Sequence, residues 1–175
     1  AESLVSHVSG EEQNWTEIGK KLGEMFGGTD VIIAAGAAGA IPYYSRLKAV
    51  DFLGLCDAEV PKIAERFTIV PGHRIIAPLE YLVNRKVNLI IEPNNFMMSK
   101  RDFQMWVRLA GWRSMYKLNL NVDKPVNGKL INEARLLAIP IEPDRMLVTW
   151  YLTSHPAIEE AIVKYELNRI RLDRR

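Results

Sequence analysis

Residues 31–73 read VIIAAGAAGAIPYYSRLKAVDFLGLCDAEVPKIAERFTIVPGH, and the fold turns on how this stretch is parsed. Val31-Ile32-Ile33-Ala34-Ala35 is short, apolar and partly β-branched, which predicts a buried strand. Gly36 and Gly39 bracket the turn that follows, and Pro42 argues against a regular helix running through it. A second strand is expected over 49–53, with Asp51 inside its apolar run. Asp57 stands where a helix N-cap belongs, with Val60, Ile63, Ala64 and Phe67 as the buried face of a short helix. Pro71-Gly72-His73 closes the stretch as a turn.

Upstream, Ser9 and Glu12 have the spacing of a capping box, and Trp15, Ile18, Leu22, Met25 and Phe26 recur at helical spacing. Gly27-Gly28 tolerates positive φ, so a helix is expected over 10–26. Downstream, Pro78 suits the start of a helix whose apolar face is Leu79, Leu82 and Val83. Residues 87–91 form another apolar run of strand length, stopped by Glu92-Pro93-Asn94-Asn95. The order helix, strand, turn, strand, helix, helix, strand defines an α/β fold. The simplest version is a mainly parallel, mixed sheet flanked by helices in a Rossmann-like three-layer architecture.

The second half is patterned less sharply. Ser99 would cap a helix to about Leu109, with Phe103, Trp106, Val107 and Ala110 on one side. Residues 116–122 alternate as a strand does, Lys124-Pro125-Val126-Asn127-Gly128 is a turn, and 130–139 would return antiparallel. Residues 146–152 are apolar enough for a strand or a buried helix, and periodicity does not decide between them. A last helix starts at His155-Pro156, uses Ile158, Ala161, Ile162 and Tyr165, and would end on Arg169, Arg171, Arg174 and Arg175. Without repeats, low-complexity tracts or linkers, the 175 residues read as one domain.

Composition narrows the function classes. A chain of 175 residues can bury roughly 70% of its unfolded surface around one core. A net charge of +2 is too small to imply nucleic acid. The single Cys56 excludes an internal disulfide or a multi-Cys zinc site. No run of about 18 apolar residues is present to span a bilayer. The chain begins at Ala1 without Met, as expected of a piece processed or excised from a longer protein or of a chain whose initiator Met has been removed.

Candidate chemistry is sparse. Gly36 and Gly39 follow a strand, but Gly-x-x-Gly continuing into Ala-Ile-Pro matches neither nucleotide-binding glycine pattern, so a tight structural turn is expected. Asp51 is the most informative carboxylate, because a charge on an apolar strand must be paired, hydrogen-bonded or shifted in pKa. It would either tie down the Tyr43-Tyr44 corner or bind a polar ligand such as a sugar. Asp57 reads first as a cap, and His73 as a candidate base or ligand beside a glycine turn. No H-x-x-x-H or H-E-x-x-H spacing exists, so neither a metal nor a cofactor is expected. Tyr43, Tyr44, Trp106, Trp112 and Trp150 are aromatic faces that serve either a sugar ring or the core.

The string from Ala34 to His73 resembles the soluble region following the membrane helices of bacterial C-type, integral-membrane glycosyltransferases, including arabinofuranosyltransferase-like and lipopolysaccharide-type members. The residues that carry the resemblance are Gly39, Ile41, Pro42, Tyr43, Tyr44, Ser45, Asp51, Gly54, Leu55, Asp57, Gly72 and His73, with Trp15 and Gly19 ahead of them. It covers residues 12–92 and departs from the pattern at Cys56. It implies a domain on the extracytoplasmic, periplasmic side of the inner membrane, tethered through transmembrane helices of a parent protein. The ligand would be a polyprenyl-phosphate sugar donor or a glycan acceptor, and no nucleic acid. The family's catalytic carboxylate belongs to an early loop between membrane helices, so this chain would shape the site without carrying the base and be inactive alone. Tyr43, Tyr44, Asp51, Asp57 and His73 are the expected ligand-binding residues. The alternatives are a non-catalytic interaction or stabilising domain, and a soluble nucleotide- or sugar-binding enzyme.

Overall fold

The computed structural model describes residues 14–36, 38–64, 75–91, 96–108 and 135–171. The Ser9–Glu12 capping box, Phe67, the 71–73 turn with His73, the 92–95 stop, Trp112, the 116–122 strand, the 124–128 turn and the last two arginines lie outside the described residues.

The first described helix, α1, spans Trp15–Phe26. It starts at Trp15, where its apolar period begins and not at residue 10 as the capping box suggests, because Asn14 adopts a left-handed conformation (φ 38°) and accepts the Glu17 N–H at 3.4 Å. Ile18, Leu22 and Phe26, four residues apart in turn, are fully buried. β1 covers Ile32–Ala35 and α2 covers Ala40–Ser45. Pro42 therefore lies inside a helix, contrary to expectation. It is the third helical residue, where a missing N–H costs nothing because first-turn donors lack intrahelical partners. The helix stops at Arg46, whose φ is +57°.

β2 is only Lys48–Val50, so Asp51 follows the strand and does not sit within it. Next come α3 (Val60–Ile63), α4 (Leu79–Asn84) and β3 (Leu89–Ile91). The apolar face expected for α3 shrinks to Val60, since the helix ends before Ala64 and Ile63 is exposed. β4 (Phe96–Ser99) leads into α5 (Lys100–Arg108), where Ser99 Oγ accepts the Asp102 N–H at 3.0 Å and donates to the Asp102 carboxylate at 2.8 Å. β5 (Arg135–Glu142) and β6 (Arg145–Tyr151) form a hairpin, which settles the ambiguous 146–152 run as strand. α6 (Pro156–Lys164) and β7 (Asn168–Arg171) complete the chain. Arg169 and Arg171 thus lie on a strand, not on a helix end. Glu166 at φ 51° breaks the helix before the β7 strand begins at Asn168.

The sheet runs β2-β1-β3-β6-β5-β7, with β4 also on β6. Pairings β1–β2 and β1–β3 are parallel; those of β6 with β3, β4 and β5, and of β5 with β7, are antiparallel. The chain is therefore α/β with a mixed sheet flanked by helices, its parallel part formed by the N-terminal half. β3 and β4 pair with successive stretches of β6, so one long strand serves two short ones.

Helices cover both faces. On one, Ile18, Leu22 and Phe26 of α1, Ile41 of α2 and Ile158 and Ala161 of α6 join Ile33, Leu89, Leu147 and Tyr151. On the other, Val60, Leu79, Leu82 and Phe103 from α3, α4 and α5 join Val50, Ile90, Val148 and Trp150. Trp150 is a core residue, and Trp106 stacks on Phe103 with ring centroids 6.3 Å apart.

Polar ties hold the sheet end opposite the strand-exit loops. Buried Asn88 accepts the Ile32 N–H at 2.9 Å and donates to the Thr153 hydroxyl at 3.0 Å. His155 caps α6: its Nδ1 accepts the Ala157 N–H at 3.2 Å. Because a backbone N–H only donates, the ring proton lies on Nε2, 2.8 Å from the Asp30 carboxylate. That hydrogen bond, aided by one from the backbone, holds Asp30 below the usual carboxylate pKa.

Candidate functional site

The carboxyl ends of parallel strands are where open α/β sheets place ligands. Here α2 follows the end of β1, and a loop over 51–57 follows the end of β2. The two connections take opposite faces, α2 packing with α1 and the chain after β2 with α3 and α4.

Asp51 is the hub of its loop. It is 6% exposed; Oδ1 accepts the Leu53 N–H at 3.0 Å and Oδ2 the Cys56 N–H at 2.6 Å. The Asp51 carbonyl accepts the Gly54 N–H at 3.1 Å. Gly54 has φ +71°, and a Cβ there would lie 2.9 Å from a Val60 methyl, so the turn has room only for glycine. Asp51 does not tie down the Tyr43-Tyr44 corner. It folds its own loop, because its two oxygens face the backbone donors exposed where the chain leaves the sheet.

Asp57 is bound more tightly. Its side chain is 10% exposed and accepts N–H groups of Glu59 at 2.9 Å and Val60 at 3.2 Å. The Tyr81 hydroxyl of α4 donates to the same carboxylate at 3.0 Å, and the Arg85 guanidinium stands 4.0 Å away, 5.6 Å from the Tyr81 ring centroid. Burial pushes the Asp57 pKa up, but these hydrogen bonds and the Arg85 charge outweigh it and hold the carboxyl below its ordinary range. Burial and the bond to Asp57 raise the Tyr81 pKa. The capping role read from sequence holds, though Asp57 acts from before the residue that flanks α3. Sequence reasoning missed Tyr81 and Arg85. Their signal is faint: a tyrosine beside buried Leu82, able to bury its ring and keep its hydroxyl free to bond, with a cation four residues on.

Tyr43 and Tyr44 are what the cluster shows to solvent. They are 75% and 40% exposed, and their rings meet edge to face at 5.1 Å. Tyr44 is seated against Gly19 of α1, where an added Cβ would stand 2.8 Å from the Tyr44 Cβ. Leu55 and Cys56 are exposed on the second loop. Thus the two carboxylates share one loop and spend their oxygens on protein donors, while the tyrosines stand exposed on α2, which packs on the other face of the sheet. Among the described residues, no group of three or more His, Cys, Asp or Glu side chains is placed to hold a metal ion.

The fold defines a mixed α/β domain with an exposed aromatic pair on α2 and a carboxylate-built loop after β2. Residues 6–136, more than half of the chain, match the family model described as Domain of unknown function (DUF8728), and the chain belongs to that family. No curated protein and no solved structure matches it.

Proposed function

We propose that this chain is the extracytoplasmic domain of a bacterial membrane glycosyltransferase that uses a polyprenyl-phosphate sugar donor. In this reading it is tethered through transmembrane helices of the parent protein and shapes the donor or acceptor site without supplying the catalytic base. The observation that carries the reading is the solvent-exposed Tyr43-Tyr44 pair, whose residues belong to the glycosyltransferase-like string; the Asp51–Asp57 loop of the same string is separately pre-formed by its own hydrogen bonds. Exposed aromatic faces suit the C–H surface of a sugar, and rigid loops lose little entropy on binding. Tyr43 and Tyr44 then touch ligand, while Asp51 and Asp57 position the loop.

The test is glycosyl transfer by the full-length parent carrying Tyr43→Ala and Tyr44→Ala. Transfer is expected to fall on the order of tenfold for the pair, the worth of one or two aromatic contacts. Tyr43→Phe should retain most of it. Unchanged transfer at unchanged protein level would overturn the proposal. The internal use of both carboxylates favours a second reading, a stabilising or interaction domain. That reading gains if Asp51→Ala lowers protein level while the tyrosine variants leave transfer untouched.

A further inference from the structure

The exposed face of α5 has no role in the fold and none in the cluster described above. Its buried residue is Phe103, with Trp106 and Val107 partly buried against the same core. At 100° per residue, Lys100, Gln104, Arg108, Arg101 and Met105 occupy one continuous arc on the other side. The arc holds three cations and no acid, and Met105 is 54% exposed at its edge. Asp102 lies outside the arc, with its carboxylate bonded to Ser99. The chain contact at the start of the helix is the Lys100 N–H donating to the Asp144 carbonyl at 3.0 Å. Among the described residues, no ion pair engages Lys100, Arg101 or Arg108.

We infer that this face of α5 is a contact surface for an anionic phospholipid bilayer. Three cations beside an accessible thioether fit a surface of phosphate groups over an apolar edge. A single-stranded nucleic acid would need aromatic faces among the cations to stack its bases, and among the described residues of α5 the aromatics are Phe103 and Trp106, which stack on each other outside the arc. The contact is weak alone, but a domain held close to a membrane needs no more, since tethering replaces affinity by effective concentration. That last point rests on the reading under Proposed function; the surface itself does not.

The test is co-sedimentation of the 175-residue chain with vesicles of mixed phosphatidylcholine and phosphatidylglycerol, against phosphatidylcholine alone, at low and high salt. The wild-type chain should bind only the anionic vesicles and be released by salt. The triple variant K100E/R101E/R108E should bind on the order of a hundredfold less, and K100Q/R101Q/R108Q should follow it with a smaller loss. Reversing Lys20, Lys21 and Lys62 instead, which have ion-pair partners, should leave most of the binding intact. Equal loss in that control, equal binding to both vesicles, or capture of a single-stranded oligonucleotide in place of vesicles would overturn the inference. Because the assay uses no glycosyl transfer, its failure and that of the enzyme reading are separate results.

Discussion

At the residue scale, the two loop aspartates separate what a carboxylate can do from what it is free to do. Asp51 and Asp57 look like binding groups in sequence, yet each satisfies backbone donors that no other side chain reaches. Leaving the buried Leu53 donor unpaired would cost about 1–3 kcal/mol, and the donors nearer solvent less. Asp57 also carries a pH signature. Its folded pKa lies below the unfolded value of 3.8, so the unfolded chain binds more protons in the interval between them. Its contribution is fully present above the unfolded pKa and is lost as pH falls through the folded one. Urea midpoints for the wild type and Asp57→Asn should therefore differ most above the unfolded pKa of 3.8 and converge as the pH falls below it. A gap that stays constant across the range would show that the charge of Asp57 is not what stabilises the loop. The capping role of Asp57 was legible in sequence, and so was the need of Asp51 for a partner. The side-chain partner of Asp57 was not, because Tyr81 lies 24 positions away and only the folded chain brings them together.

Among elements, the α1–α2 contact shows how a surface feature is set from beneath. Two glycines of α1 face α2: a Cβ on Gly19 would meet Tyr44, and one on Gly23 would stand 3.1 Å from the Tyr44 carbonyl. Gly19→Ala should cost about 1–3 kcal/mol in crowding, of which better helix propensity returns about 1 kcal/mol. The net effect expected is a lower thermal midpoint and a shifted Tyr44 ring, read from tyrosine fluorescence or near-UV circular dichroism. Gly39→Ala, where open space surrounds the site, should stay within about 0.5 kcal/mol of wild type. Equal behaviour of the two variants would remove the argument for close helix approach. Elements with a single strong period were legible: α1, β1, β3, α4, α5, α6 and, as strand or helix, β6. Two strands were missed. β4 is four residues whose place depends on β6, some fifty positions later in the chain, and β7 hid behind arginines that suited a helix end equally well.

On the scale of the whole molecule, α/β class and mixed sheet followed from element order, while the partner of β3 did not. Nothing local in residues 89–91 says whether the next neighbour is parallel or antiparallel. The structure gives that place to β6, whose Leu147, Trp150 and Tyr151 reach both faces of the core. The family match ends at residue 136, one residue past the start of β5. A chain cut there keeps every parallel strand but bares the β3 edge and removes β6, α6 and β7. Such an edge is a template for association, so the truncated chain should elute as aggregate and lack a cooperative unfolding transition. A monomeric 1–136 fragment melting cooperatively would mean that the antiparallel half is an appendage, not part of the core.

Asn88, described above as a polar tie, has a kinetic consequence. Its bonds to Thr153 join positions 65 apart, and the β3–β6 register lies immediately beside them. Closing so long a loop costs more chain entropy than forming a helix or the β5–β6 hairpin, so the β3–β6 pairing is expected after those local elements. A slip of one residue would turn every β6 side chain to the opposite face. With only Leu89↔Tyr151 and Ile90↔Trp150 paired across β3 and β6, Asn88 serves the arriving strand as an address, recognised once and correct in only one register.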